Sequence, residues 1–356
     1  MAHALRLGRR RMGQCWPNPA VGCVIVRDGR IVGRGATAPG GRPHAEPQAL
    51  AQAGAAARGA TAYVTLEPCA HTGKTPPCAK ALVTAGIARV VAPIADTDPR
   101  VSGQGFQYLR MHGVEVTTGV LADEAARDHA GFFLKVAQGR PLVTLKLANS
   151  FDGRIATATG ESQWITGPEA RRYVHGLRAR HDAVMVGAGT ARADDPSLTV
   201  REMGAMRQPV RVIVSRLIDV PLMSKLASGA REVPVWVAHG SDAAPLTRKA
   251  WESCGARLLQ CSVRAGRIDP QALLTTLGGE GLTRVFCEGG GQLAASLLAA
   301  DLVDELVGFT AGMALGAEGR PGIGAMGIDR LSEAPRFTLE EVRAMGGDVM
   351  HRWRRG

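Results

Sequence analysis

Aromatic residues are scarce in this chain: Phe, Trp and Tyr make up 4% of 356 residues, against a hydrophobic total of 45%. The core must therefore be aliphatic and alanine-rich, which suits alternating strands and helices better than a small aromatic-rich sandwich. No apolar run approaches the roughly 20 residues that cross a bilayer, so no membrane span is expected. The opening stretch MAHALRLGRRRMGQCW has a basic patch with no apolar segment behind it and no small-residue cleavage site. It is expected to form a short amphipathic helix with exposed arginines rather than a signal peptide. The 45 glycines follow no fixed period, which excludes repeat and collagen-like architectures. Cysteine is too sparse and too odd in number for a disulfide framework: there are seven, five of them in apolar or strand-like settings. That usage points to a reducing cytoplasm.

At this length two domains are expected. Lys and Arg outnumber Asp and Glu by 43 to 32, a net charge of +11. Such a balance attracts anions, whether nucleic acid, a phosphorylated metabolite or a phosphate-bearing cofactor. The arginines are scattered rather than massed, which weakens the nucleic-acid reading.

Local patterns give an α/β order. VGCVIV (21–26), RDGR and IVGRGA predict a hairpin turning at Asp28-Gly29. A helix opens near His44, TAYVTL (61–66) is a buried strand, and PPCAKALVTAG starts a helix with proline in its first turn. Strand, helix, strand and a helix over 122–138 follow. Gly139-Arg140-Pro141 punctuates the chain, dividing it into domains 1–139 and 140–356. Beyond it, strands at 142–148, 183–187, 210–214, 234–238, 284–287 and 303–310 alternate with helices at 168–180, 245–253, 270–278 and 292–300. This predicts a mostly parallel sheet covered by helices.

The loop EPCAHTGKTPPC (67–78) holds Cys69 and Cys78; upstream lie His44 and, two residues on, Glu46. His-x-Glu followed by Pro-Cys and a second cysteine is the arrangement of zinc-dependent deaminases. Two thiolates and one imidazole fill three zinc positions and leave the fourth for water, whose pKa zinc lowers to about 7. Glu46 is the expected catalytic proton carrier, with His44, Cys69 and Cys78 as ligands of one Zn2+ per chain. His71 would allow a closed structural site, but such a site has no use for Glu46.

The eight-residue interval between the cysteines is longer than the Pro-Cys-x-x-Cys of many deaminases. With PNPAVGCVIV (17–26), PHAE, AYVTLEPCAHTGKTPPC and ESQWITG, the chain resembles the bifunctional deaminase-reductase family of riboflavin biosynthesis over nearly its whole length. The resemblance implies a cytidine-deaminase-like three-layer α/β domain followed by a dihydrofolate-reductase-like α/β domain. It implies hydrolytic deamination of 2,5-diamino-6-(ribosylamino)pyrimidin-4-one 5'-phosphate, then NADPH-dependent reduction of the ribose to a ribityl chain. In the first domain Asn18 would meet the pyrimidine, and His71 and Lys74 would line the substrate end of the loop. DTDPRVSGQG (96–105) departs from the family pattern, with Asp98 where asparagine is expected.

FCEGGGQLAASLLAADLVDEL predicts strand, glycines and helix, a place where backbone can approach phosphate. LKLANSFDGRIA, LRARHDAVMVGAGTARADDPSLTVR and CEGGG follow the order of the family's reductase domain. By matched position the resemblance implies that Ala148, Trp164, Thr190, Asp194 and the segment Gly290, Gly291, Gln292, Leu293, Ala294, Ala295 and Ser296 hold NADPH. Ser162, Arg178, Leu198, Arg201 and Glu288 would hold the substrate. Lys146, set in the apolar strand LVTLKLA, is expected to face the cleft. His112, His129, His175 and His181 have no ligand partner in view and are expected to be packing or surface residues. The expected partner is a phosphorylated pyrimidine, with no nucleic acid and no membrane, acted on by a cytoplasmic homo-oligomer. The alternative is a nucleic-acid base deaminase with an accessory domain. It needs stacking aromatics near the pocket, and the first domain offers few, Trp16, Tyr63 and Tyr108 among them.

Overall fold

The computed structural model describes residues 1–71, 76–204 and 206–356. The chain divides into two compact units, Met1–Arg140 and Pro141–Gly356.

The first unit opens with α1 (Ala2–Arg9), whose Arg9 pairs with Glu124 and Asp128 at 2.8 and 2.7 Å. β1 (Gly22–Arg27) and β2 (Arg30–Ala36) form the expected hairpin; Asp28 and Gly29 both take the left-handed backbone conformation that such a turn demands. Then come α2 (Ala45–Ala53), β3 (Thr61–Val64), α3 (Cys78–Thr84), β4 (Arg89–Val91), α4 (Gln104–Met111), β5 (Glu115–Thr117) and α5 (Ala122–Gln138). The sheet order is β2-β1-β3-β4-β5, antiparallel around β1 and parallel from β3 to β5. The alanines at 45, 49 and 53 let α2 lie close on the sheet, and glycines complete the fit: a Cβ at Gly33 would sit 2.2 Å from the Ala49 carbonyl, and one at Gly35 2.0 Å from that of Ala45. This close approach fixes the height of the α2 N-terminus, where His44 and Glu46 lie. Leu82 and Leu109, both fully buried, anchor α3 and α4 with about 1.5–3 kcal/mol each.

In the second unit the order is β6 (Leu142–Ser150), β7 (Arg154–Ala156), α6 (Pro168–Arg178), β8 (Ala183–Gly187), α7 (Ala188–Asp194), β9 (Val210–Val214), α8 (Lys225–Ser228), β10 (Val235–His239) and α9 (Pro245–Ser253). It continues with β11 (Arg257–Gln260), β12 (Val263–Arg264), β13 (Arg267–Ile268), α10 (Pro270–Gly279), β14 (Arg284–Gly289), α11 (Gly291–Ala299), β15 (Glu305–Ala311), β16 (Arg320–Pro321), β17 (Thr338–Met345) and β18 (Asp348–Arg354). Nine strands form one sheet in the order β11-β10-β9-β8-β14-β6-β15-β18-β17. It is parallel as far as β15, as expected; the hairpin of β17 and β18 adds an antiparallel edge that the sequence pattern did not announce. Register sets Lys146 and Ala148 beside Val307 and Phe309, on the face packed by the core that includes Val174, Leu177, Val186 and Ile213.

Candidate active sites

His44 is the extended N-cap of α2, so its ring projects from the helix start while Glu46 sits buried in the first turn. Pro77 ends the loop and Cys78 opens α3, buried; Cys69 lies in the loop after β3. The ligand atoms of His44, Cys69 and Cys78 all lie within 4.8 Å of one another. His44 Nδ1 is 3.3 Å from Cys78 Sγ and 3.8 Å from Cys69 Sγ. Zn–S and Zn–N bonds of about 2.3 and 2.0–2.1 Å at tetrahedral angles require a sulfur–nitrogen separation of roughly 3.6 Å. Both distances straddle that value, so the donor set fits zinc with one position left over.

The electrostatics fit the same ion. The Cys78 amide donates to Cys69 Sγ at 3.4 Å, and the Cys69 thiol is brought down to about 4, chiefly by its hydrogen bond with the Cys78 side chain and further by that of His44. Cys78 is pushed up by the same hydrogen bond and by burial. His44 is raised by its bond to Cys69, and Glu46 is raised first by burial and then by the charge on Cys69. Two adjacent thiols thus share one negative charge, and a dication is the partner that lets both ionise.

A second carboxylate shapes this site from behind. Glu67, at the end of the β3 loop, is buried and accepts the amides of Asp96 (3.0 Å), Gly103 (2.9 Å), Gly105 (2.8 Å) and Phe106 (3.2 Å). It binds the loop after β4 to the loop carrying Cys69. In that β4 loop Asp98 is buried and occupied: Arg100 Nε contacts its oxygens at 2.9 and 3.1 Å, and that arginine holds its carboxyl below the usual range. Asn18 donates to the Gly41 carbonyl at 2.9 Å, which leaves its own carbonyl oxygen for another partner. Lys74 lies outside the described residues.

In the second unit the expected residues gather at the C-terminal ends of β6, β8 and β14, where open α/β sheets bind ligands. Gly290 takes a φ of 75°, and a Cβ there would fall 2.7 Å from Thr190 Oγ1, so Thr190 and the glycine turn form one narrow cradle. The first turn of α11 follows at once, presenting unpaired backbone N–H groups that suit a phosphate. Gln292 and Ser296 share this helix, joined by the Ser296 hydroxyl donating to the Gln292 carbonyl at 2.9 Å; Leu293 packs against Gly187. Ala294 and Ala295 are buried, so a cofactor meets at most their backbone. Ser162 Oγ donates to Asp194 at 3.4 Å. Trp164 is 65% exposed with the Arg171 guanidinium 4.5 Å over its ring.

Lys146 is half-buried, with Glu288, Arg178 and Asp194 as its charged neighbours, and desolvation lowers its pKa. Arg178 does not stand as an open clamp. It grips Glu288 bidentately, at 2.5 and 3.0 Å, and donates to the Thr199 carbonyl at 2.9 Å. Burial opposes ionisation of Glu288, but Arg178 outweighs it and holds the carboxyl below its ordinary value. Leu198 packs into the core, so only its backbone is open to a ligand; Arg201 is exposed. Sequence reasoning passed over Glu67 and Gln208 and set His175 down as a packing or surface residue, because their partners leave no local pattern in the sequence.

Comparison with known proteins agrees with this geometry. A family profile described as the RibD C-terminal domain matches residues 141–351, and one described as the cytidine and deoxycytidylate deaminase zinc-binding region matches residues 1–94. The chain is 41% identical over 361 residues to the riboflavin biosynthesis protein RibD of Escherichia coli (strain K12), with 98% of this chain and 96% of that protein covered. The RibD of Aquifex aeolicus is 40% identical over 350 residues, with 98% and 96% covered. The solved structure of Acinetobacter baumannii RibD superposes with a TM-score of 0.88 at 38% identity, covering all of this chain and 97% of that one. A Thermotoga maritima structure described as a diaminohydroxyphosphoribosylaminopyrimidine deaminase/5-amino-6-(5-phosphoribosylamino)uracil reductase gives 0.87 at 33% identity, covering 100% and 97%.

Proposed function

The chain belongs to the RibD family of riboflavin-biosynthesis proteins, and from that premise we propose how its two activities are divided among its residues. It is a bifunctional enzyme, a zinc-dependent deaminase and an NADPH-dependent reductase. We assign deamination to residues 1–139 and reduction to residues 140–356. The observation that carries the first assignment is the convergence of His44, Cys69 and Cys78 with a buried Glu46 against them.

In the first site His44, Cys69 and Cys78 would hold zinc, which when bound supplies a Lewis acid that makes water nucleophilic near neutral pH. Glu46 carries the proton work on 2,5-diamino-6-(ribosylamino)pyrimidin-4-one 5'-phosphate: it moves one proton from the attacking water to the ring nitrogen, then the second from the added hydroxyl to the amine as the C–N bond breaks and the carbonyl forms. Burial of its carboxyl beside Cys69 favours accepting that proton. Asn18 offers its carbonyl oxygen to the pyrimidine, and Lys74 its charge to the phosphate.

In the second site Thr190, Asp194, Trp164, Ala148 and the Gly290–Ser296 turn would hold NADPH, which supplies the hydride. Arg201, Ser162, Glu288 and the backbone at Leu198 would bind the ribosylaminouracil, with Arg178 fixing Glu288. Lys146, a half-buried amine facing Glu288, Asp194 and Arg178, would polarise the opened sugar. We further read the enzyme as a cytoplasmic homo-oligomer acting on a phosphorylated pyrimidine. The absence of any disulfide among the described residues supports a reducing compartment. Incubating the zinc-loaded chain with the diaminopyrimidinone phosphate tests the assignment. Ammonia should appear without NADPH, and absorbance at 340 nm should fall only when NADPH is added. NADPH oxidation that precedes ammonia release would contradict it.

A further inference from the structure

Residues 195–201 have no regular secondary structure, yet side chains from other elements hold their backbone. Arg178 donates to the Thr199 carbonyl at 2.9 Å. Gln208 pairs with both sides of Val200, its Oε1 accepting the amide at 2.7 Å and its Nε2 donating to the carbonyl at 3.1 Å. His175, one helical turn before Arg178 on α6, accepts the Arg201 amide on Nδ1 at 3.3 Å. The segment needs such anchors. Asp195, Leu198 and Glu202, none of them glycine, all stand in the left-handed region, with φ of 38°, 54° and 61°. Leu198 and Val200 point into the core while Arg201 points out, so the peptide that Gln208 and His175 grip is the one that aims Arg201.

We propose that His175 and Gln208 are positioning residues of the reductase site, presetting the 199–201 backbone so that Arg201 meets the substrate. This rests on the reading that Arg201 touches the ribosylaminouracil. The imidazole must be neutral, because only an unprotonated Nδ1 accepts the Arg201 amide. Burial favours that state, and so do the facing charges of Arg178 and Arg201, against the opposing pull of Glu288 and the Thr199 carbonyl. Protonation would exchange an acceptor for a donor, releasing the Arg201 amide and favouring the Thr199 carbonyl that the ring already meets.

The test uses the full chain with NADPH and 5-amino-6-(5-phosphoribosylamino)uracil, on variants whose fold is checked by circular dichroism. His175→Ala, which loses one hydrogen bond, should raise KM for the uracil about two- to tenfold, and Gln208→Ala, which loses two, at least as much. In both, kcat and the KM for NADPH should stay within twofold. His175→Asn, whose Oδ1 takes the place of Nδ1, should restore KM. Wild-type KM should climb as pH falls through the imidazole's folded-state value, which lies below 6.5, while that of His175→Asn stays flat. Arg201→Ala separates the two claims. If it raises KM but His175→Ala and Gln208→Ala do not, the positioning role is overturned. If Arg201→Ala itself leaves KM unchanged, the substrate reading of the segment falls and the proposal with it.

Discussion

Glu46 is a carboxylate whose surroundings oppose its charge, through burial and through the neighbouring Cys69. A purely structural role would favour replacing it with something neutral, and this is what makes Glu46→Gln informative. The variant should keep one zinc per chain by elemental analysis while ammonia release falls about 10²–10⁴-fold, the usual worth of a positioned proton carrier. Retained deamination would remove Glu46 from the chemistry. In the second unit Glu288 asks for more care, because it is the only carboxylate hydrogen-bonded to the buried Arg178 among the described residues. Glu288→Ala strands that guanidinium, a loss of about 3–5 kcal/mol for a broken buried pair. It should lower the melting temperature, raise KM in the reductase assay and leave ammonia release unchanged. The sign of the pH effect follows from the depressed carboxyl. The pair's stabilisation is complete above the unfolded value of about 4.3 and is lost as pH falls through the lower folded value. Glu288→Gln should erase that part of the acid limb in a series of thermal melts.

Among the elements, α2 and the glycine turn before α11 are the two that backbone geometry constrains most tightly. Gly35→Ala would drive a methyl to 2.0 Å from the Ala45 carbonyl, at the N-terminal end of α2. Helix and strand must separate, at a cost of about 1–3 kcal/mol. Since His44 caps that helix, thermal denaturation and zinc content should both fall; an unchanged zinc content would show that the helix start is not what places the imidazole. Gly290→Ala meets a positive φ and Thr190 together, and should raise KM for NADPH more than KM for the uracil. Much at this scale was legible from sequence. The hairpin at Asp28-Gly29, the strand–loop–helix around the two cysteines, and the parallel strands of the second unit all carry local signals of turn chemistry and apolar runs. β17 carried none, because its side chains before the buried Met345 are exposed on both faces, apart from the half-buried Glu341, and TLEEVRAM shows no alternation. α7, AGTARAD, is only seven residues long and carries Gly and Thr in its first turn, so it does not stand out as a helix. The pairing of Arg178 with Glu288 spans 110 residues, and that of His175 with Arg201 spans 26, so each emerged only from the folded chain.

At the scale of the whole molecule, composition and fold agree. An alanine-rich, aromatic-poor chain folds as two α/β units whose helices pack close to their sheets, and its excess of basic residues suits an enzyme whose substrate and cofactor are both phosphorylated. No helix of the described residues is long and apolar enough to cross a membrane. Motif spacing picked out His44, Cys69, Cys78 and Glu46 without a structure, and the fold brings the first three within 4.8 Å of one another at their ligand atoms. The residues proposed for the reductase site were less legible from chemistry alone, since a backbone cradle of the kind proposed at Gly290 leaves only glycines as its trace.

One chain carries two chemistries that can be switched off separately, and Cys78→Ser puts that separation to the test. With the diaminopyrimidinone phosphate and NADPH, the folded variant should release no ammonia and leave absorbance at 340 nm unchanged. Given 5-amino-6-(5-phosphoribosylamino)uracil instead, it should oxidise NADPH at the wild-type rate. Loss of NADPH oxidation with the uracil, or persistent ammonia release from a zinc-free variant, would contradict the account.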